Sequence, residues 1–172
     1  VRMSKNAFGR PLDSRAAAYA LAVYQRSLIS SGSRYDAFVA GDTAAMNASQ
    51  IRGMNIFFSS RTACSTCHAG FLFTDMQYHN IGLNEKYSDP GRGRLTHVPQ
   101  DEGKFKTPSL RNVAITPPYM HDGSIETLPE VIEFFDSGGH AHPNRDERIK
   151  PLGLNRREKS DLVNFLHALT DT

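Results

Sequence analysis

The sequence predicts a mostly α-helical domain in which amphipathic helices frame long irregular loops. Apolar residues recur at helical spacing in four segments, each of which begins with a capping signal. Between these helices, the stretch from Gly70 to Pro118 is rich in Gly, Pro, Asn and Asp and has no sustained period. The chain has 172 residues, 39% hydrophobic and 22% charged, which is enough for a sizeable core. We therefore expect a single domain over residues 1–172, with residues 1–45 as an N-terminal helix and extension.

The first predicted helix begins at a short polar cap. Asp13 or Ser14 can cap it, and the polar run from Ser30 to Gly32 marks its end. Its apolar positions are Ala17, Leu21, Val23, Tyr24 and Leu28. A turn-rich stretch follows, in which residues 35–38 can form a short helical segment.

The second predicted helix starts at a capping box formed by Asn47 and Gln50. One side of it carries Ile51, Met54, Phe57 and Phe58. Gly53 lies inside this helix, where glycine costs about 1 kcal/mol relative to alanine. We therefore expect Gly53 to pack closely against another element. The helix ends shortly before residue 64.

Two more helices are predicted near the end of the chain. Thr127 caps the first of them, which ends at Gly138 and Gly139. A polar loop follows over residues 140–153. Asn155 and Glu158 form a second capping box, and the inward face of the last helix carries Leu162, Val163, Phe165, Leu166 and Leu169.

Residues 64–68 read Cys-Ser-Thr-Cys-His and contain both cysteines of the chain. The C-x-x-C-H pattern attaches a c-type haem. Cys64 and Cys67 can form thioether bonds to the two vinyl groups of one porphyrin, and His68 can supply an imidazole nitrogen to the iron. Because the motif occurs once, we expect one covalent haem c.

Other interpretations of the two cysteines are a disulfide, a thioredoxin-like redox pair and half of a zinc site. A redox C-x-x-C usually opens a helix after a strand in a βαβ pattern, which the sequence lacks. A structural zinc site would need further cysteines or histidines at ligand spacing, and there is no second cysteine pair. The histidine directly after Cys67 favours haem attachment.

The order of these features is the layout of a class I cytochrome c. A helix ends before the C-x-x-C-H motif, long loops follow, and an amphipathic helix closes the chain. In that fold the first and last helices cross closely, so we expect Gly53 to contact Phe165. The predicted fold is therefore mostly α and class I cytochrome c-like, with long loops that enclose the haem.

Two longer motifs carry a resemblance to a known family. Residues 103–113 read GKFKTPSLRNV and residues 116–124 read TPPYMHDGS. Both closely resemble the bacterial di-haem cytochrome c peroxidase and MauG family. Shorter matches lie at residues 73–75, 78–82, 151–154 and 161–163. The resemblance covers essentially the whole chain but only the C-terminal half of a family member, without the N-terminal domain that carries the other C-x-x-C-H.

The resemblance implies an electron-relay role. In the family, the N-terminal haem binds and cleaves peroxide, and the C-terminal haem accepts electrons and passes them across the domain interface. Peroxidase activity then belongs to the two-haem assembly, and no catalytic residue is assigned to this chain. The implied partners are the N-terminal haem domain or subunit and a small electron donor of the cytochrome c or cupredoxin type. A homodimer is a further candidate assembly.

The residue opposite His68 on the iron decides between electron transfer and ligand chemistry. Family members place a Met or a Tyr there, on the helix that follows the His-Asp-Gly motif. That position corresponds to Phe135, which cannot ligate iron. A shifted helix register would offer Glu133 or Phe134, which are no better. The sixth position is then either open and walled by Phe135 or filled from elsewhere.

Three other side chains are candidates for the upper face of the haem. Met120 follows His68 at an interval typical of class I cytochromes c, although the family often has Phe or Met there without ligation. His79 and His121 carry imidazoles, but both lie in family motifs that imply hydrogen bonds to haem propionates or to the backbone. We order the alternatives as no protein ligand, then Met120, then His79.

Haem propionates and a calcium ion define the remaining candidate residues. Arg111 can make two parallel hydrogen bonds to a propionate, with Lys106 as a second choice. The family also holds calcium between its domains, and the resemblance implies that the backbone carbonyls of Thr116 and Pro118 contribute to it. The remaining ligand would come from the N-terminal domain. Without calcium, Pro117 and Pro118 would simply stiffen the loop.

Charge and hydropathy bound the location and partners. The net charge of +2 is too small to argue for nucleic acid or an acidic membrane surface. No apolar run approaches the roughly 20 residues that span a bilayer. The chain begins with Val1 and shows no signal peptide, yet covalent haem attachment occurs outside the bacterial cytoplasm. We therefore expect a processed or truncated periplasmic product.

Two rival functions remain open from the sequence. The first is a free-standing monohaem electron carrier without an enzymatic partner. The second is a haem-based sensor or binder of small ligands, which an open sixth position would permit. An apolar face on residues 1–30 for a companion domain would favour the electron-relay role over the first rival.

Overall fold

The computed structural model describes residues 2–171 and divides the chain into two compact units, Val1–Ser31 and Gly32–Thr172. The boundary falls inside the stretch 1–45 that the sequence suggested as an N-terminal extension. The assignment of residues 1–172 to a single domain stays a prediction. Within residues 2–171, no helix combines the length and the apolar composition needed to cross a membrane.

The first unit contains α1 (Arg2–Phe8) and α2 (Ser14–Ser27). Asp13 caps α2 as predicted, because its side chain accepts a hydrogen bond from the Ala16 N–H at 2.8 Å. α2 ends before the predicted Ser30, and α1 was not predicted. Many large apolar side chains of this unit are exposed, namely Met3, Leu12, Tyr19, Leu21, Val23, Tyr24, Leu28 and Ile29.

The regular secondary structure of the second unit is mostly helical, which confirms the predicted fold class. Its helices are α3 (Arg34–Val39), α4 (Ala48–Phe57), α5 (Gly93–Thr96), α6 (Leu128–Ser137) and α7 (Arg156–His167). Two short antiparallel strands, β1 (Tyr78–His79) and β2 (Phe105–Lys106), pair Tyr78 with Lys106 and His79 with Phe105. The four-residue α5 lies in a stretch where the sequence indicated loops and short strands only.

The predicted caps position α4, α6 and α7. Reciprocal capping boxes begin these helices at Asn47, Thr127 and Asn155. Gly138 ends α6 with a φ of 84°, a left-handed conformation that glycine adopts without steric cost. The local signals in the sequence therefore predicted where these three helices begin.

α4 and α7 cross closely at Gly53. A Cβ atom built on Gly53 would lie 1.9 Å from the Asp161 carbonyl oxygen and 2.8 Å from the Phe165 Cβ. Only glycine fits this crossing, so the predicted contact between Gly53 and Phe165 is confirmed. Asp161 joins the same helices through its carboxylate, which accepts hydrogen bonds from Ser49 and from two nitrogens of Arg52.

An aromatic cluster forms the centre of the core. Phe57, Phe73 and Phe165 are almost fully buried, and their ring centroids lie 5.2–6.4 Å apart. Tyr35 packs edge-on against Phe73 at 5.2 Å. Phe73 belongs to the loop that follows the C-x-x-C-H motif, so the core anchors that loop.

The long loops are held by hydrogen bonds around Asn80, which is only 1% exposed. Its Nδ2 donates to the Glu102 carbonyl at 3.2 Å and to His142 Nδ1 at 3.1 Å. Its Oδ1 accepts from the Gly82 N–H at 2.8 Å and from the Tyr87 hydroxyl at 2.9 Å. One buried amide therefore ties several loop segments together without regular secondary structure.

Candidate haem-attachment site

The C-x-x-C-H segment forms a tight turn shortly after α4. Residues Cys64–Thr66 make one turn of 3₁₀ helix, and the His68 N–H donates to the Cys64 carbonyl at 3.0 Å. The Ala63 N–H donates back to the Ser59 carbonyl at 3.0 Å. Both thiols and the imidazole are therefore held within one short, hydrogen-bonded segment of chain.

His68 is oriented by a backbone carbonyl. Its Nδ1 lies 3.0 Å from the Phe73 carbonyl oxygen, so an N–H at Nδ1 donates to that oxygen. In that tautomer the lone pair lies on Nε2, the nitrogen that would bind iron. Burial is the main cause that lowers the pKa of His68, and hydrogen bonding to the Phe73 carbonyl opposes it. The neutral imidazole, which is the form that ligates metals, is favoured.

The two cysteines are neutral and not bonded to each other. Burial raises the pKa of the Cys64 thiol and that of the Cys67 thiol. Reactive C-x-x-C pairs have a lowered pKa instead, so the electrostatics disfavour a redox pair. Two neutral thiols beside a neutral imidazole fit a covalently attached haem, with Cys64 and Cys67 on the porphyrin and His68 on the iron.

Three non-glycine residues in or near the motifs discussed above have a left-handed backbone conformation. Ala63 directly precedes Cys64 and has a φ of 50°, and Phe73 has a φ of 51°. Met120 has a φ of 72°. Such conformations cost about 1–3 kcal/mol each and persist only where the surroundings enforce them. Here the Ala63 conformation starts the cysteine turn, and the Phe73 conformation presents the carbonyl that orients His68.

Arg111 braces this segment. Its guanidinium forms a salt bridge with Asp36, and its Nε donates to the Phe71 carbonyl at 2.9 Å. The guanidinium carbon also lies 4.4 Å from the Phe71 ring centroid and 5.5 Å from that of Phe73. The side chain is 5% exposed. The structure thus gives Arg111 a carboxylate partner within the chain, and its contact with a haem propionate stays a prediction.

His79 has both ring nitrogens engaged. Nε2 lies 2.8 Å from Asp75 Oδ2, and Nδ1 lies 2.9 Å from Asp146 Oδ2. An imidazole bound on both sides by carboxylates has no nitrogen to offer to iron. The geometry therefore disfavours His79, the last of the three alternatives for the sixth position.

Met120 and His121 lie in a short loop that is closed by backbone hydrogen bonds. The Tyr119 N–H donates to the Ile125 carbonyl at 2.6 Å, and the return bond measures 3.4 Å. Met120 is half-buried, whereas His121 is exposed. The His121 ring stacks on Phe105 with centroids 3.6 Å apart and an interplanar angle of 17°. The haem contacts of both residues stay predictions.

Phe135 lies on the inward stripe of α6. Leu128 and Ile132, spaced for the same helix face, are 4% and 9% exposed, and Phe135 itself is half-buried. Its ring packs edge-on against Phe134 at 5.2 Å. α6 thus presents an apolar side chain at the position where the resemblance implies a ligand, and its place beside a haem stays a prediction.

The remaining candidates lie at the surface. Thr116 and Pro118 are exposed, and the Thr116 hydroxyl donates to the Val113 carbonyl at 3.2 Å. Lys106 is exposed at the end of β2. Neither the calcium ligands nor the contact of Lys106 with a propionate is tested by this geometry, so both stay predictions.

Sequence reasoning missed Asp146 and Arg148. Arg148 binds Asp146 with two nitrogens at 2.8 and 2.6 Å, and Asp146 in turn contacts His79. The spacing Asp-x-Arg could have suggested a local ion pair. No local pattern connects that pair to His79, which lies 67 positions earlier in the chain than Asp146.

Several known proteins resemble this chain in sequence. A family model described as di-haem cytochrome c peroxidase matches residues 1–44, which end before the C-x-x-C-H motif. The chain is 38% identical to cytochrome-c peroxidase IdrP1 of Denitromonas iodatirespirans over 98% of its own length and 53% of that protein. It is also 38% identical to the methylamine utilization protein MauG of Methylorubrum extorquens, over 96% of its own length and 47% of that protein.

A solved structure extends the likeness to three dimensions. A MauG-like protein associated with microbial copper homeostasis superimposes with a TM-score of 0.89 and 32% identity, over 99% of this chain and 58% of that protein. The chain spans about half the length of the curated relatives it matches. The family implies haem c, in agreement with the attachment turn. The chain belongs to the di-haem cytochrome c peroxidase and MauG family.

Proposed function

We propose that this chain is the C-terminal, electron-transfer half of a di-haem peroxidase or MauG-like oxidoreductase and carries one covalent haem c. The observation that carries the proposal is the hydrogen bond of 3.0 Å between His68 Nδ1 and the Phe73 carbonyl, next to Cys64 and Cys67. It places the imidazole proton on Nδ1, so that Nε2 carries the lone pair that would bind iron.

The residues of the chain have separate tasks in this role. Cys64 and Cys67 fix the porphyrin, and His68 provides the proximal nitrogen. The Phe73 carbonyl sets the orientation of His68, while the aromatic cluster around Phe73 and Phe165 excludes water on that side. When bound, the haem supplies a centre that takes up and releases one electron.

A companion haem domain or subunit completes the enzyme in this proposal. Peroxide would be reduced at the companion's haem, with electrons delivered to this chain by a small redox protein. The exposed apolar side chains of the unit Val1–Ser31 support a docking role for residues 1–45, since such surfaces mark interaction sites. The carbonyls of Thr116 and Pro118 would contribute to a calcium ion at that interface. Covalent haem attachment favours a periplasmic location.

For the sixth position we propose an open site walled by Phe135. A phenyl ring offers no lone pair to iron, and both nitrogens of His79 are bound by carboxylates. Met120 is the remaining alternative. An open site would admit small ligands, whereas a thioether ligand would raise the reduction potential.

Haem attachment is tested by producing the chain in the bacterial periplasm together with haem-attachment machinery. Intact-mass spectrometry should find one haem per chain, and the haem should resist extraction by acid and organic solvent. Replacing Cys64 and Cys67 together by alanine should abolish this, whereas Ser65→Ala, inside the same turn, should retain it. A parent chain without covalent haem, made beside a control cytochrome that does mature, would refute the proposal.

Two further measurements separate the alternatives. Visible spectra of the oxidised chain should have high-spin features and should change on addition of cyanide. A far-red charge-transfer band, the signature of Met on ferric haem, would instead assign Met120. The isolated chain should accept electrons reversibly without turning over peroxide, because peroxide reduction is assigned to the companion haem. Rapid turnover by the isolated chain would contradict that division of labour.

A further inference from the structure

A network of four charged side chains lies next to the attachment turn, and the proposed function uses it only to set His79 aside as an iron ligand. His79 stands at its centre, between Asp75 at 2.8 Å and Asp146 at 2.9 Å. A neutral imidazole has one N–H, so it can donate to only one carboxylate. Nδ1 also lies 3.1 Å from Arg148 Nη2, but that nitrogen donates to Asp146 at 2.6 Å, and the Asp146 carboxylate lies closer to the ring. With a carboxylate beside each nitrogen, the geometry favours the doubly protonated, positively charged ring.

Both carboxylates of the network are charged. Two hydrogen bonds from Arg148, at 2.8 and 2.6 Å, are the main cause that holds the pKa of Asp146 far below its usual value. Burial opposes the ionisation of Asp75, but hydrogen bonds from Gln77 and His79 still keep its pKa below the usual value. Two anions, Asp75 and Asp146, thus balance two cations, His79 and Arg148.

The network touches the haem-attachment turn at Cys67. The Asp75 N–H donates to the Cys67 carbonyl at 2.7 Å. The Cys67 sulfur, an Asp75 carboxylate oxygen and a His79 nitrogen all lie within 4.8 Å of one another. On its other side, His79 lines a surface cavity of about 390 Å³ together with Asp146 and Arg148. The charges therefore lie at the sulfur that would carry one thioether bond.

We propose that His79 is a positioning residue: its charged ring places a positive charge at the Cys67 edge of the haem and thereby raises the reduction potential of the iron. The inference rests on the proposed haem attachment. Reduction adds one electron to the haem, so a nearby positive charge stabilises the reduced form and a nearby negative charge the oxidised form. Asp75, Asp146 and Arg148 are the charged groups that contact His79.

Opposite charge changes at the two ends of one hydrogen bond test this proposal. The midpoint potential of the haem-loaded chain is measured by spectroelectrochemical titration for the parent, His79→Gln and Asp146→Asn. His79→Gln removes a cation and should lower the potential, whereas Asp146→Asn removes an anion and should raise it. All three potentials are measured in the same buffer at the same pH, so that each variant differs from the parent only in the substituted group.

Matched controls separate charge from loosened structure. His140→Gln and Asp42→Asn make the same chemical changes at exposed positions outside the network and should leave the potential at the parent value. Arg148→Gln removes the second cation and should also lower the potential. It takes the place of His79→Gln in the comparison if that variant does not load haem. A merely structural role would admit water in every variant and shift all potentials in one direction.

Opposite shifts in the His79 or Arg148 variant and in Asp146→Asn support the network. Shifts of the same sign, or potentials equal to those of the controls, overturn it. Mass spectrometry of the parent keeps this outcome distinct from the proposed function. A parent that lacks covalent haem refutes the function, whereas a loaded parent with unmoved variant potentials refutes only the role of His79.

Discussion

The α4–α7 crossing and the loops around Asn80 are held together by different forces. At the crossing, backbone atoms approach so closely that a single added carbon at Gly53 would overlap Asp161. Around Asn80, by contrast, a buried amide makes hydrogen bonds to several separate segments. The candidate haem-attachment site depends on both kinds of contact, because the C-x-x-C-H turn follows α4 and the loops supply the residues around that turn.

The difference teaches what each region tolerates. The close-packed contact at Gly53 is sensitive to added volume, since its contacts are steric. A hydrogen-bonded loop hub is sensitive to the loss of any partner, because each group left behind is buried without compensation. Four substitutions probe this contrast, from the largest expected effect to the smallest.

Gly53→Ala should cause the largest loss, because the new Cβ would meet backbone atoms of Asp161 that cannot rotate away. We expect the free energy of unfolding to fall by at least about 3 kcal/mol, the upper end for overpacked sites. Urea unfolding followed by circular dichroism measures it. Gly32→Ala is the control, since its Cβ would meet its nearest atom at 4.0 Å. Equal losses in both variants would contradict a steric crossing.

Asn80→Ala should cost about 2–3 kcal/mol, because it removes the buried acceptor to which the Tyr87 hydroxyl and the Gly82 N–H both donate. The same urea titration measures the loss. Asn55→Ala, at an exposed position of α4, should change stability by less than about 0.5 kcal/mol. If Asn80→Ala behaved like this control, hydrogen bonds would not be what holds the loops.

Asp161 adds an electrostatic contribution to the crossing that depends on pH. Hydrogen bonds from Arg52 are the main cause that lowers the pKa of Asp161 in the folded protein. The contribution of the Asp161 carboxylate to the free energy of unfolding is therefore complete above its unfolded pKa of about 4. It is lost as the pH falls towards the pKa of Asp161 in the folded protein.

Asp161→Asn should cost about 1–2 kcal/mol at neutral pH, a modest figure because Arg52 is partly exposed. The gap between parent and variant, measured by urea unfolding at several pH values, should narrow below about pH 4. A gap that stayed constant with pH would assign the loss to packing instead.

Thr127→Ala should have the smallest effect, about 1 kcal/mol, because one side chain caps the first turn of α6. Thermal unfolding measures the loss, with Ser160→Ala on the exposed surface of α7 as the control. Restoring the cap with Ser at position 127 should recover most of the stability. Failure of that rescue would mean that α6 is held by its packing alone.

Much of the helical frame was predictable because its signals are local. The capping boxes at Asn47 and Asn155 and the stop at Gly138 need only a few neighbouring residues to act. The contact between Gly53 and Phe165 was predictable because a glycine inside an amphipathic helix indicates a close approach. α1 and α5, with seven and four residues, are too short to show a clear apolar period.

The sequence by itself determined the longer helices, their caps and the C-x-x-C-H pentapeptide, because helical period, capping and this motif all depend on residues close together in the chain. Only the tertiary structure decided that Arg111 binds Asp36 and that His79 lies between Asp75 and Asp146. These contacts join positions up to 75 residues apart in the chain. Such pairing depends on how the loops fold over the core, and no local pattern of residues records it.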